Sequence, residues 1–157
     1  MKLDLKYEEI MYKNVLIPVM GKYTEEIIES ALDLIDGREV ELIALYVAED
    51  SVPFLTPRHI KQEILTELKN RGEVFLNQFE KALDLETNNY ITLKKEIVEG
   101  DPANLIVETA EKNNTDVIIM GTGKSIVDKH LLGSVSEKVV HLAPCTIHLV
   151  RTIEKIE

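Results

Sequence analysis

The chain predicts an α/β domain with a parallel five-stranded sheet covered by helices on both faces, and three observations predict it. Short apolar runs such as Asn14-Val-Leu-Ile-Pro-Val19 and Asp116-Val-Ile-Ile-Met120 lack polar alternation, as strands buried on both faces do. Between the runs lie segments whose apolar residues recur at three- and four-residue steps, the period of an amphipathic helix. The two patterns alternate along the whole chain, which is how a parallel sheet with crossover helices is written. No linker, internal repeat or low-complexity stretch interrupts them, so residues 1–157 read as one domain.

Taken in order, Asn14 to Val19 is the first strand, broken by Gly21. Thr24 can cap a helix whose apolar face is Ile27, Ile28, Ala31, Leu32, Leu34 and Ile35, and Gly37 ends it. Glu39 to Val47 is the second strand, and Val52 to Pro57, with two prolines, is a loop. A long helix is expected from about Arg58 to Leu85, with Ile60, Ile64, Leu65, Leu68, Phe75, Phe79 and Leu83 on its apolar face and a kink or break at Gly72. Ile91 to Val98 alternates as a third strand and runs out at Gly100. Asp101-Pro102 opens a helix, since Asp accepts from free N–H groups and Pro fits the first helical position. Asp116 to Met120 is the fourth strand. Gly121 to Leu132 is a loop with room for a helical turn, Ser134 to Leu142 a short helix, and Thr146 to Val150 the fifth strand after Pro144. In such a sheet a ligand belongs beyond the carboxyl ends of the strands.

Composition narrows the function. Lys and Arg total 18 against 28 Asp and Glu, a net charge of −10. A field of that sign repels phosphate backbones and anionic lipid, which argues against nucleic acid and membrane surfaces as partners. No apolar run approaches the roughly 20 residues that span a bilayer. The acidic N-terminal stretch lacks a signal-peptide core, so a cytoplasmic location is expected. Cys145 is the single cysteine, which excludes an internal disulfide and a cysteine-rich metal site. Its setting, Ala-Pro-Cys-Thr-Ile, suits a small residue at a strand entrance.

Glycine and hydroxyl residues concentrate in Met120-Gly-Thr-Gly-Lys-Ser125, after the fourth strand, and in Leu132-Gly-Ser-Val-Ser136, at a helix start. Glycine lets the backbone approach an anion, and a helix N-terminus offers unpaired N–H groups and a positive dipole end. The two segments can close around a polyphosphate. Equally, the glycines can serve only as turn residues and Ser134 only as a cap. A Walker loop is excluded, because Ile118 stands where its first glycine belongs. The dinucleotide pattern Gly-x-Gly-x-x-Gly fails at Ile126.

Read together, these segments resemble the universal stress protein family, in which a Gly-x2-Gly-x9-Gly-[Ser/Thr] pattern follows the fourth strand. Gly123, nine residues, then Gly133-Ser134 match its longer half. Val-Ile-Ile-Met-Gly121, Leu-Leu-Gly-Ser-Val-Ser-Glu-Lys-Val-Val140, the ending His-Leu-Ala-Pro-Cys-Thr-Ile-His-Leu-Val150, the first strand and Gly100-Asp-Pro102 look like the family's text. The resemblance covers about residues 11 to 151 and leaves residues 1–10 as an N-terminal extension. It implies a Rossmann-like domain of the adenine nucleotide alpha hydrolase-like type, dimeric through Thr146 to Val150, which in one subclass binds ATP with Mg²⁺ or Mn²⁺. The phosphates would then lie on Gly123, Gly133, Ser134, Val135 and Ser136. Ribose and adenine would lie near Met120, Gly121, Pro18, Val19 and Val47. Two features depart from that subclass: Met20 replaces its Asp, with Lys22 where a small hydroxyl residue is usual, and the first glycine gap, Gly121-Thr-Gly123, is one residue short.

Three functions compete. The first is an ATP-binding regulatory or stress-response homodimer. The second is a dimer that binds no nucleotide and acts through protein partners, for which Met20 speaks. The third is an enzyme such as an adenylyl transferase or ATP pyrophosphatase. His59, His130, His141 and His148 are scattered, Ser134 has no evident base, and no catalytic signature follows the first strand. The expectation is therefore a binding protein with no catalytic residues, in which slow ATP hydrolysis is at most incidental.

Overall fold

The computed structural model describes residues 12–123 and 132–152. The N-terminal extension, Lys124, Ser125, His130 and the charged tail Glu154 to Glu157 lie outside the described residues, so the expectations placed on them stay as stated. Nine elements alternate: β1 (Asn14–Pro18), α1 (Thr24–Ile35), β2 (Val40–Glu49), α2 (Arg58–Leu83), β3 (Ile91–Gly100), α3 (Pro102–Lys112), β4 (Val117–Gly121), α4 (Ser134–Leu142) and β5 (Thr146–Val150). The strands form one parallel sheet in the order β3-β2-β1-β4-β5. This is the expected α/β, Rossmann-like architecture.

Strand alternation explains why both faces are covered. Val15, Ile17 and Val19 point to one side, where Ile27, Ile28, Ala31 and Ile35 of α1 and Leu76, Phe79 and Leu83 of α2 meet them. Leu16, Leu45, Ile118 and Met120 point to the other, against Ala103, Ile106 and Ala110 of α3 and Val139 of α4. Each Val, Leu, Ile, Phe or Met among them contributes about 1.5–3 kcal/mol on burial, so the central strands hold both layers at once. Asp116 pins the start of β1, its carboxylate accepting from the Lys13 and Asn14 N–H groups at 2.9 and 2.8 Å.

Several boundaries differ from expectation, each for a tertiary reason. β2 and β3 run on to Glu49 and Gly100 because they pair with each other along their whole length, Val40 with Ile91 through Glu49 with Gly100. The strand-four ladder takes Gly121 and leaves out Asp116, which is occupied with β1. The long helix stops at Leu83, where Asp84 turns left-handed. Thr24 is the first residue of α1 and not its cap; that position is Tyr23, left-handed at φ 56° with no side-chain cap. Gly72 does not break α2, which runs on through it. It is buried, and a Cβ there would fall on the ring of Tyr46, which itself packs edge-on against Phe75 with centroids 6.0 Å apart. The glycine lets helix and sheet approach.

Asp101 caps α3 as expected: its carboxylate accepts from the Asn104 N–H at 2.9 Å, with Pro102 next in line. That bond, and second the Lys138 ammonium at 3.2 Å, holds its carboxyl below the usual carboxylate range. A group whose pKa is lower folded than unfolded stabilises above its unfolded value and loses that contribution as pH falls through its folded one. Asp101→Asn, which keeps a capping oxygen but no charge, should therefore lower the melting temperature slightly near neutrality, approach the wild type in acid, and so flatten the decline between about pH 5 and 3. Equal slopes for the two proteins in a pH series of melting curves would contradict this.

Candidate functional site

β1 is flanked by β2 on one side and β4 on the other. The chain leaves β1 for α1 on one face and leaves β4 for α4 on the opposite face. Between the ends of β1 and β4 and the starts of α1 and α4 lies a crevice. Here it is a cleft of about 280 Å³, close to the lower end of the range for small-molecule sites, about 300–1,000 Å³.

The glycine loop and the helix start meet at its floor. Gly123 is left-handed, at φ 81°, and a Cβ on it would lie 2.8 Å from Gly133 Cα and 3.0 Å from Gly133 N. The Gly133 N–H donates to Thr122 O at 2.8 Å, and the Ser136 hydroxyl donates to Gly121 O at 2.9 Å. The loop is therefore tied to the first turn of α4 by backbone and side chain together. Gly133 is the N-cap of α4 with no side-chain cap, and the first helical bond is Glu137 N–H to Gly133 O. The N–H groups of Ser134, Val135 and Ser136 thus have no intrahelical partner, and they stand at the positive end of the helix dipole.

Nine of the residues expected at a nucleotide site line this one cleft: Pro18, Met20, Met120, Gly121, Gly123, Gly133, Ser134, Val135 and Ser136. Two expected residues do not. Val19 shares the parity of Val15 and Ile17, so its side chain is in the α1–α2 core while its N–H donates to Leu45 O at 2.7 Å. Val47 sits on β2, across β1 from the cleft, and packs toward α3 and α4. Ser136 is buried, with its proton committed to Gly121, whereas Ser134 is exposed.

The cleft also takes in Lys22, Tyr23, Ile27 and Thr152. Tyr23, Ile27 and Thr152 had no signal as site residues. Thr152 arrives because β5 pairs with β4: Thr122 N–H donates to Val150 O at 2.9 Å, and Thr152 N–H to Thr122 Oγ1 at 3.2 Å. Its side chain then occupies the place a Cβ on Gly121 would need.

The other reactive groups considered, among the described residues, do not line the cleft. His148 Nε2 lies 2.9 Å from Ser30 Oγ, bridging β5 to α1. His141 is exposed near the end of α4. Burial, and second the Asp116 charge, push the Cys145 thiol up, the opposite of an activated thiolate. Among the described residues, no group of three or more His, Cys, Asp or Glu could hold a metal, and no helix is long and apolar enough to cross a membrane.

Fold and cleft together define a Rossmann-like α/β domain with a crevice at its switch point. The model of the universal stress protein family matches residues 11–151, and the chain belongs to that family. It is 56% identical over 143 residues to a universal stress protein of Methanothermobacter thermautotrophicus, covering 91% of this chain and 98% of that one. Among solved structures it is similar to the universal stress protein UspA of Lactobacillus plantarum, with a TM-score of 0.76 and 26% identity over 89% of this chain and 98% of that one. A family protein of Arabidopsis thaliana solved with AMP bound shares the fold, with a TM-score of 0.61 and 16% identity over 88% of this chain and 91% of that one.

Proposed function

We propose that this universal stress protein binds an adenine nucleotide, ATP with Mg²⁺ or Mn²⁺, in the cleft and acts as a regulatory or stress-response switch without dedicated catalysis. One observation carries the reading: the Gly123 and Gly133 backbones touch beside an open crevice, with the uncapped start of α4 on its wall. That arrangement suits a phosphate, which needs several N–H donors and no competing side chain. No carboxylate lines the described wall, so the divalent ion would come in on the phosphates. The AMP-bound Arabidopsis thaliana protein makes an adenine nucleotide the first ligand to try.

The test is direct. Freshly purified protein is denatured and the released small molecules are separated by chromatography. Retained adenine nucleotide supports the proposal. An empty protein whose melting temperature millimolar ATP–Mg²⁺ leaves unmoved overturns it and favours action through protein partners. Met20 lends that second reading its support: it is 58% exposed on the cleft wall and offers no strong hydrogen-bond acceptor.

The functional unit in this proposal is a homodimer joined at β5. That strand is the sheet edge beyond β4, none of its residues is fully buried, and Leu149 is 38% exposed. An apolar edge with unpaired backbone groups is a template for a second strand. Light scattering should give twice the 17.8 kDa chain mass.

A further inference from the structure

We propose that Lys22 makes the cleft selective for the number of phosphates, anchoring a second phosphate beyond the one held by the main-chain amides of α4. This rests on the nucleotide-binding reading above and goes beyond it by assigning a specificity-determining residue. The protein as a whole carries a net charge of −10, yet the described wall of the cleft bears one cation, Lys22, and no carboxylate. Among the described lining residues the formal charge is therefore +1, against −10 for the chain.

Placement gives Lys22 its part. The amide donors come off β4 and α4, on one face of the sheet, whereas Lys22 comes off β1 and precedes α1, on the other. A single phosphate on the start of α4 is served by the amides of that side. A chain of two or three phosphates can reach from those amides to the opposite wall, where an ammonium on a flexible stem adds charge without demanding fixed geometry.

The backbone holds Lys22 at the cleft. Gly21 before it is left-handed at φ 78°, and a Cβ there would lie 2.6 Å from the Phe75 ring. Tyr23 after it is left-handed at φ 56° and stands at the N-cap of α1. A bulky residue in that conformation persists only where its surroundings enforce it. Lys22 forms no ion pair among the described residues, whereas Lys61, Lys69, Lys94, Lys95 and Lys138 each do.

Isothermal titration calorimetry with ATP, ADP and AMP would test this on the wild-type protein and on Lys22→Ala, Lys22→Arg and Gly133→Val. Lys22 is exposed, so its variants should melt with the wild type. Lys22→Ala should weaken ATP about tenfold and AMP less than about twofold, with Lys22→Arg recovering most of the loss and the salt dependence of ATP binding reduced. Equal losses for ATP and AMP, or none for either, would overturn the proposal. If Gly133→Val abolishes binding while Lys22→Ala leaves ATP untouched, only the role of Lys22 fails. A wild-type protein that binds none of the three nucleotides removes both.

Discussion

Gly123→Ala is expected to leave a folded protein that ATP–Mg²⁺ no longer stabilises. The single added methyl would sit 2.8 Å from Gly133 Cα and 3.0 Å from Gly133 N. Both are backbone atoms, so relief requires the loop and the start of α4 to part. That movement strains the Gly133 N–H to Thr122 O and Ser136 to Gly121 bonds and spreads the donors that would share one phosphate. Conformational strain alone cannot explain such a loss, and Gly37→Ala provides the control. Gly37 is also left-handed, at φ 72°, yet has nothing within 4 Å of its would-be Cβ. Both substitutions carry about 1–2 kcal/mol of left-handed strain, but only one disturbs the cleft. A ligand at a hundred times its Kd adds about 2.7 kcal/mol, equivalent to about 5–10 °C of melting temperature for a chain of this size. Gly37→Ala should keep that shift on a slightly lowered baseline and Gly123→Ala should lose nearly all of it. Gly133→Val should lose it too, since φ −61° and ψ 157° suit any residue and a branched side chain would enter the space proposed for the phosphate. A full shift in Gly123→Ala would mean that nucleotide, if bound, lies elsewhere.

Most of the architecture could be read from periodicity, because each strand is an apolar or alternating run and each helix has a buried face. Asp101-Pro102 gave the start of α3 through side-chain chemistry that is purely local. What stayed hidden depended on partners distant in sequence. The pairing of β2 with β3 carries both past their last apolar residues. The reason for Gly72 is the ring of Tyr46 on another element. In the site, glycine spacing and the family resemblance brought Gly121, Gly123 and Gly133 to Ser136 together, and the resemblance alone brought in Pro18 and Met20. Thr152 could not be found that way, as its place follows from the β4–β5 register. The side chain of Val19 lies with Val15 and Ile17 in the core, as their shared parity implies, and Val47 lies one strand away from the cleft because of a strand order that the sequence does not contain.

Phe79→Ala should produce the largest loss of stability, and the cleft should feel it. Phe79 is 1% exposed and heads the largest fully buried side chains, packed with β1, β2 and α1 in one cluster. Truncating a buried Phe costs about 3–5 kcal/mol, from lost transfer energy and from the cavity left behind. Against a typical total of about 5–15 kcal/mol, at about 2–4 °C per kcal/mol for a chain of this size, the melting temperature should fall by about 6–20 °C. Phe79→Leu keeps most of the volume and should cost much less. The ring also lines a gap of about 10 Å³ with Pro18, Met20, Lys22 and Ile27, all of which are cleft residues as well. Removing the ring enlarges that gap under the β1–α1 connection, so Met20 and Lys22 lose their floor. Phe79→Ala, studied well below its own transition, should therefore bind ATP more weakly than wild type, whereas Leu76→Ala, equally core but absent from that gap, should lose stability without losing affinity. Calorimetry on the two variants separates the cases: matched affinities would show that the cleft is indifferent to the packing beneath it.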